Sequence, residues 1–138
     1  MKIERIKDEK ISAIIPLLRL LNPALAATTL EQRLQEMVVE GYQCVGVYDN
    51  DELVGICGLW IMTKYYVGRY IEPDNMVIHP LYRSQGLGKK LMDWIDDYAR
   101  SQGCVASELN CYLSNVAAQK FWKKEGYEAI AFHYQKAL

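Results

Sequence analysis

The sequence predicts one α/β domain over residues 1–138: a mixed sheet with helices laid against it, ordered strand, two helices, three strands, helix, strand, helix, and a closing strand or hairpin. Three observations lead there. Asn75-Met76-Val77-Ile78-His79-Pro80 reads as a strand halted by proline, Leu81 to Gly88 as a turn bearing Gly86 and Gly88, and Leu87, Leu91, Trp94, Ile95 and Tyr98 recur at helical spacing up to Arg100. Upstream, the strand-like runs 42–48 and 53–62 are separated only by the polar Asp49-Asn50-Asp51-Glu52, which predicts an antiparallel pair. Downstream, residues 105–111 follow the helix as a fifth strand, parallel to the fourth through a right-handed crossover.

The other elements follow from local signals. Residues 2–6 make a short first strand; Ile11, Ile14, Ile15, Leu18 and Leu21 mark a helix kinked near Pro16 and closed by Pro23. Thr28-Thr29-Leu30-Glu31 has the form of a capping box, opening a second helix through Leu34, Met37 and Val38 to Gly41. Gly55 and Gly58 interrupt the third strand, which predicts a bulge or a close approach by another backbone or a ligand. Residues 63–70 form an aromatic link whose Tyr65, Tyr66 and Tyr70 either pack an edge or line a substrate pocket. Gly103 caps the central helix, Ser114 or Asn115 starts the last one through Phe121 and Trp122, and Gly126 ends it before strand-like residues 127–136.

Composition narrows the function. A formal net charge of −1 with scattered basic residues excludes nucleic acid as a main partner. No apolar run approaches the ~18 residues of a membrane span, and the start Met1-Lys2-Ile3-Glu4-Arg5 lacks a signal-peptide pattern, so a cytoplasmic protein without a membrane partner is expected. Cys44, Cys57, Cys104 and Cys111 stand singly, with His79 and His133 the only histidines; reduced thiols and no metal site are expected.

The turn before the central helix is built for an anion. Gly86 and Gly88 allow the backbone to approach, several N–H groups can converge, and the helix adds its positive end. A dinucleotide loop needs glycine where Leu91 stands, and a Walker loop needs one further upstream of Gly88. Neither nucleotide loop fits. Arg83-x-x-Gly86-x-Gly88 resembles instead the pyrophosphate-binding motif of the GNAT N-acetyltransferase superfamily. Asn115-x-x-Ala118-x-x-Phe121-Trp122-x-x-x-Gly126-Tyr127 resembles a second motif of that superfamily, in the right order along the chain. The ending, 122–138, is similar to small-molecule members, including aminoalkylphosphonate acetyltransferase. The likeness covers residues 71–138 well and the first half by order of elements only.

The resemblance implies a GNAT-like fold with acetyl-CoA as the acyl-donor cosubstrate. Arg83, Ser84, Gln85, Gly86, Leu87, Gly88 and Lys89 would hold the pyrophosphate. The main chain of Met76, Val77 and Ile78 would meet the pantetheine arm between parted fourth and fifth strands, its N–H groups near Val77 and Ile78 would stabilise the oxyanion, and Asn115 and Trp122 would flank the arm. Asn115 is equally suited to cap the last helix. Glu72 stands where some members carry a general base, and Asp74 shares its strand face by alternation; both could instead be solvated charges. Trp122 occupies the position of a tyrosine that in many members protonates the departing thiolate, and an indole has no proton to give at neutral pH. Water, Tyr112 or Tyr127 would then complete that step. The expected activity is transfer of acetyl to a primary amine of a small molecule by direct attack in a ternary complex; an acyl-CoA-binding module and a protein or peptide acetyltransferase are the alternatives, and a homodimer stays open.

Overall fold

The computed structural model describes residues Met1–Leu138. Its sheet runs in chain order: β1 (Lys2–Ile6), β2 (Gln43–Asp49), β3 (Glu52–Lys64), β4 (Gly68–Ile78) and β5 (Ala106–Ser107). The first four are antiparallel neighbours, and β4 and β5 are parallel. Four helices cover the sheet: α1 (Ile15–Leu21), α2 (Ala27–Val39), α3 (Leu87–Ser101) and α4 (Val116–Lys124).

The alternation of each strand splits its apolar side chains between two cores. One lies beneath α1 and α2, where Ile14, Leu17, Leu34 and Tyr42 meet Ile56 and Val77. The other lies beneath α3, whose Leu87, Leu91 and Ile95 press on Val45, Leu59 and Ile71. That is the helical stripe expected from the spacing. Burying each such side chain is worth about 1.5–3 kcal/mol. Trp94 and Tyr98 finish the stripe at its margin, stacked at 5.1 Å, with the Tyr98 hydroxyl donating to Gln43 Oε1 at 2.6 Å.

Several local expectations change. The first helix is a 3-10 turn, Asp8–Ile14, followed by α1, and Pro16 sits in the first turn of α1, where its missing N–H is no loss. The capping box does not form: Ala26 is the N-cap of α2, and Glu31 accepts instead from Ser12 Oγ at 2.6 Å, tying α2 to the 3-10 turn. The aromatic link is a tight hairpin, with Tyr65 and Tyr66 exposed at its tip and Tyr70 buried on β4. The fifth strand, expected over 105–111, pairs only at Ala106–Ser107, and residues 127–136 form no strand at all. Alternation prepares a segment for a ladder, but a ladder also needs a free partner edge, and here the last segment meets none.

Gly58 serves the first core by having no side chain. A Cβ there would lie 2.6 Å from Cε1 of the Tyr42 ring, which is 1% exposed and has nowhere to go. Gly58→Ala is expected to destabilise the fold by about 1–3 kcal/mol through overpacking, read as a lowered denaturation midpoint with unchanged slope.

Candidate active site

The centre of the site is an irregularity in β4. Val77 pairs with Ile56 and Asp74 with Gly58, so Asn75 and Met76 together stand opposite Cys57 alone. The bulge falls between the glycines that announced it, with the extra residue on the facing strand, and Asn75 takes a left-handed φ of 56°. Beyond it, the His79 N–H donates to Val54 O at 2.8 Å. The two-residue alternation of an antiparallel ladder then turns the Val77 main chain toward β3 and leaves that of Met76 and Ile78 facing the β5 side. Of the three residues expected along the cofactor arm, Val77 is therefore a core residue, 3% exposed, with its main chain turned away from the cleft.

That β5 side is open. Val105 N–H donates to Arg69 O at 2.8 Å and Glu108 N–H to Ile71 O at 3.0 Å, and the two strands share no main-chain hydrogen bond farther along. They part over residues 72–78, so β4 presents unpaired main chain to a wedge-shaped cleft. Such groups need a polar partner of extended shape.

The glycine turn closes the wide end of the cleft. Arg83 Nε donates to Ile78 O at 3.0 Å, folding the turn back on β4. Gly86, φ 74°, is the N-cap of α3 and no side chain caps the helix. Lys90 is the first residue to donate back, to Gly86 O at 3.2 Å; the N–H groups of Ser84, Gln85, Gly86, Leu87, Gly88 and Lys89 have no acceptor in the protein. Free donors at a helix start are an anion site. The two glycines act differently. A Cβ on Gly86 would touch nothing within 4 Å, so its backbone angle is what matters, whereas a Cβ on Gly88 would lie 3.1 Å from the Phe121 ring, so its smallness lets α4 pack on α3. Lys89 is turned along the helix, its Nζ 2.6 Å from Asp93 and 3.7 Å from Glu125. Its charge is thus already shared between two carboxylates of the protein.

Glu72 and Asp74 sit side by side on β4, across from Trp60 and Gly58 of β3. Their situations differ. Asp74 accepts from Trp60 Nε1 at 3.2 Å, while Glu72 makes no hydrogen bond. Partial burial, followed by the charge of Asp74, raises the Glu72 carboxyl above the ordinary range, and Lys64 opposes the rise. Lys64 itself bridges to Glu108 of the segment after β5 at 3.0 Å and lies 4.8 Å from the Tyr70 ring centre. Trp60, Lys64 and Glu108 escaped the sequence reading. Alternation along β3 and from Ala106 to Glu108 placed them on this face, but only the strand register brings them together.

At the far wall, Asn115 caps α4, its Oδ1 accepting from Ala118 N–H at 3.0 Å, which leaves its amide N–H₂ free. Trp122 packs edge-on between Phe121 and Tyr127. Burial pushes the Tyr127 hydroxyl up to about 12, and it shares a 2.6 Å hydrogen bond with Ser107 Oγ. Tyr112 is exposed, and His79 is engaged in its own turn, Nδ1 accepting from Leu81 N–H at 3.2 Å.

A bulged strand parted from its neighbour, with an uncapped helix start at the wide end, defines an N-acetyltransferase fold. The acetyltransferase (GNAT) family model matches residues 14–127, and the chain belongs to that family. It is similar to an aminoalkylphosphonate N-acetyltransferase of Salmonella typhimurium, 31% identical over 90 residues, 64% of this chain and 58% of that protein. The match thus spans less than two thirds of that relative. An uncharacterized N-acetyltransferase of Bacillus subtilis is 28% identical over 125 residues, 89% of this chain and 88% of its own. In fold, the chain is similar to a ribosomal-protein-alanine N-acetyltransferase from Brucella melitensis, with a TM-score of 0.84, 20% identity and 100% of both chains covered.

Proposed function

We propose that this single-domain protein is a cytoplasmic, acetyl-CoA-dependent N-acetyltransferase that acetylates a primary amine of a small molecule, by direct attack in a ternary complex. The observation that carries the reading is the run of unpartnered N–H groups, from Ser84 to Lys89, at the mouth of a cleft whose β4 wall shows free main chain. A diphosphate fits the first and an extended diamide arm the second. In that pose Met76 and Ile78 offer main-chain groups to the arm, and the bulge aims an N–H at the thioester carbonyl as charge develops on its oxygen. The free amide of Asn115 faces the same arm.

The amine must lose a proton before it attacks. Glu72 takes it, being the carboxylate with no competing hydrogen bond, while Asp74, held by Trp60, tunes it. Tyr127 is a poor acid with its hydroxyl pushed up to about 12, and Trp122 is none. The thiolate, of pKa near 8.5, leaves as the anion or takes its proton from water. Trp122 also favours a second reading, an acyl-CoA-binding module with little transferase activity. Thiol release from acetyl-CoA across a panel of small amines and N-terminal peptides tests both: turnover with a small amine is expected, peptide-only turnover would redirect the acceptor, and binding without turnover would favour the module.

The raised Glu72 predicts a pH dependence. Because the base must be ionised, kcat/KM is expected to rise with pH through a midpoint above the ordinary glutamate value of about 4.3. Asp74→Asn removes a negative neighbour and should lower that midpoint; Lys64→Met removes a positive one and should raise it. Unmoved profiles in both variants would dissociate the titrating group from Glu72.

A further inference from the structure

Tyr42 carries a buried phenol whose hydroxyl is turned toward the bulge. It stands just before β2, 1% exposed in the core beneath α1 and α2, with its own N–H donating to Met37 O at 2.9 Å. A phenol so placed must find a partner for its hydroxyl. This one donates to Asn75 Oδ1 at 3.4 Å, 33 positions along the chain. The ring also meets Trp60 edge-on, with 5.2 Å between centres, and Trp60 Nε1 donates to Asp74. Gly58, the β3 residue facing Asp74, leaves the room for this, since a Cβ there would collide with the Tyr42 hydroxyl. Tyr42 thus reaches two successive residues of β4, Asp74 through Trp60 and Asn75 directly.

Asn75 is where such a hold matters. Its φ of 56° lies in the left-handed region, which a side chain other than glycine keeps only where the surroundings fix it. The peptide plane that joins Asn75 to Met76 is rigid, so the backbone angles of Asn75 set the direction of the Met76 N–H on the cleft side of β4. Tyr42 takes no part in proton transfer. Burial drives its hydroxyl far above the ordinary tyrosine range and holds the neighbouring Cys44 thiol up at about 12, so what the phenol offers is a neutral donor.

We infer that Tyr42 is a positioning residue for acetyl transfer: its hydroxyl, through Asn75 Oδ1, holds the β4 bulge in the shape that points the Met76 N–H into the cleft. A thioester carbonyl bound there would gain its negative charge opposite that N–H, where misplacement by about 1 Å can cost up to about 100-fold in rate. The effect on rate rests on the acetyl-transfer reading; the hold on Asn75 does not.

A double-mutant cycle of Tyr42→Phe and Asn75→Ala is the test, each protein read for kcat, for coenzyme A affinity by calorimetry and for its denaturation midpoint. Tyr42→Phe is expected to lower kcat about 10-fold with coenzyme affinity unchanged to within about twofold. The double variant should be no slower than Asn75→Ala alone, because the hydroxyl then has nothing left to hold. A lowered midpoint with full kcat in Tyr42→Phe marks a merely structural hydroxyl and overturns the inference, as does a double variant whose losses multiply. Should Asn75→Ala fail to fold, Asn75→Gly, which accepts the backbone angle unaided, takes its place in the cycle with the same expectation. If wild type turns over no amine, the acetyl-transfer reading falls by itself and nuclear magnetic resonance decides the hold: the Asn75 carbon shifts, which report its backbone angles, should leave the left-handed range in Tyr42→Phe, and shifts that stay there count against it.

Discussion

Gly86→Glu is expected to lower the affinity for coenzyme A by at least about 100-fold in a calorimetric titration while the protein stays folded. Two costs combine. The φ of 74° is unstrained for glycine and costs any side chain on the order of 1–3 kcal/mol. The carboxylate adds a like charge beside the diphosphate, worth about 4 kcal/mol for each unit pair at 4 Å and an effective dielectric of 20. Two companion variants separate these terms. Gly86→Ala meets no atom within 4 Å and carries only the backbone strain, so its loss should be several-fold. Gly88→Ala has its Cβ 3.1 Å from the Phe121 ring and should act through the packing of α4 on α3, lowering stability more than affinity. If Gly86→Glu binds the coenzyme as wild type does, the turn is not the diphosphate site.

How much of this could be read from the residues depended on whether the signal was local. The α3 stripe, the glycine ends at Gly103 and Gly126, and the β2–β3 hairpin each arise within a dozen residues, and each formed as expected. The capping box at Thr28 failed because the helix begins earlier, at Ala27, so Thr28 stands inside its first turn, and Glu31 accepts from Ser12, far away in sequence, instead. The strand expected over 127–136 failed for the reverse reason. Its alternation lies in the sequence, with Ile130, Phe132 and Tyr134 on one parity, but alternation states which face wants burial and not which edge will provide it.

The site divides along the same line. The spacing of Gly86 and Gly88 pointed at an anion, and the structure adds that one glycine answers a backbone angle and the other a packed ring. Lys89 was expected beside the phosphate because of its place in the motif; an i,i+4 aspartate turns it down the helix, a pairing that was legible in Lys89-x-x-x-Asp93. The bulge at Asn75 and Met76 was half legible, since Gly55 and Gly58 mark the irregularity but sit on the strand opposite the extra residue. Lys64 and Glu108, 44 positions apart, meet only through the hairpin turn at Tyr65 and Tyr66 and the parallel pairing of β4 with β5. No window along the chain contains that contact.

Glu72→Gln is expected to reduce kcat by roughly 10²–10³ at neutral pH with little change in coenzyme affinity. The upper bound comes from the acceptor. An alkylamine with a pKa near ~10.4 is neutral in only about one molecule in 10³ at pH 7, so a base that delivers the neutral form at the site can gain about that factor and no more. The substitution is nearly isosteric, and Glu72 makes no hydrogen bond, so the fold loses no partner and a fall in kcat reports chemistry. The variant should also lose the acidic limb of the pH profile. Its rate should approach that of wild type as the pH nears the amine's own pKa, because bulk solvent then does the work of the carboxylate. Asp74→Asn, by contrast, should move the limb without erasing it. A Glu72→Gln enzyme with full kcat and an intact acidic limb would transfer the proton to another group on the same face, and Glu108, already 3.0 Å from Lys64, would be the next carboxylate to replace.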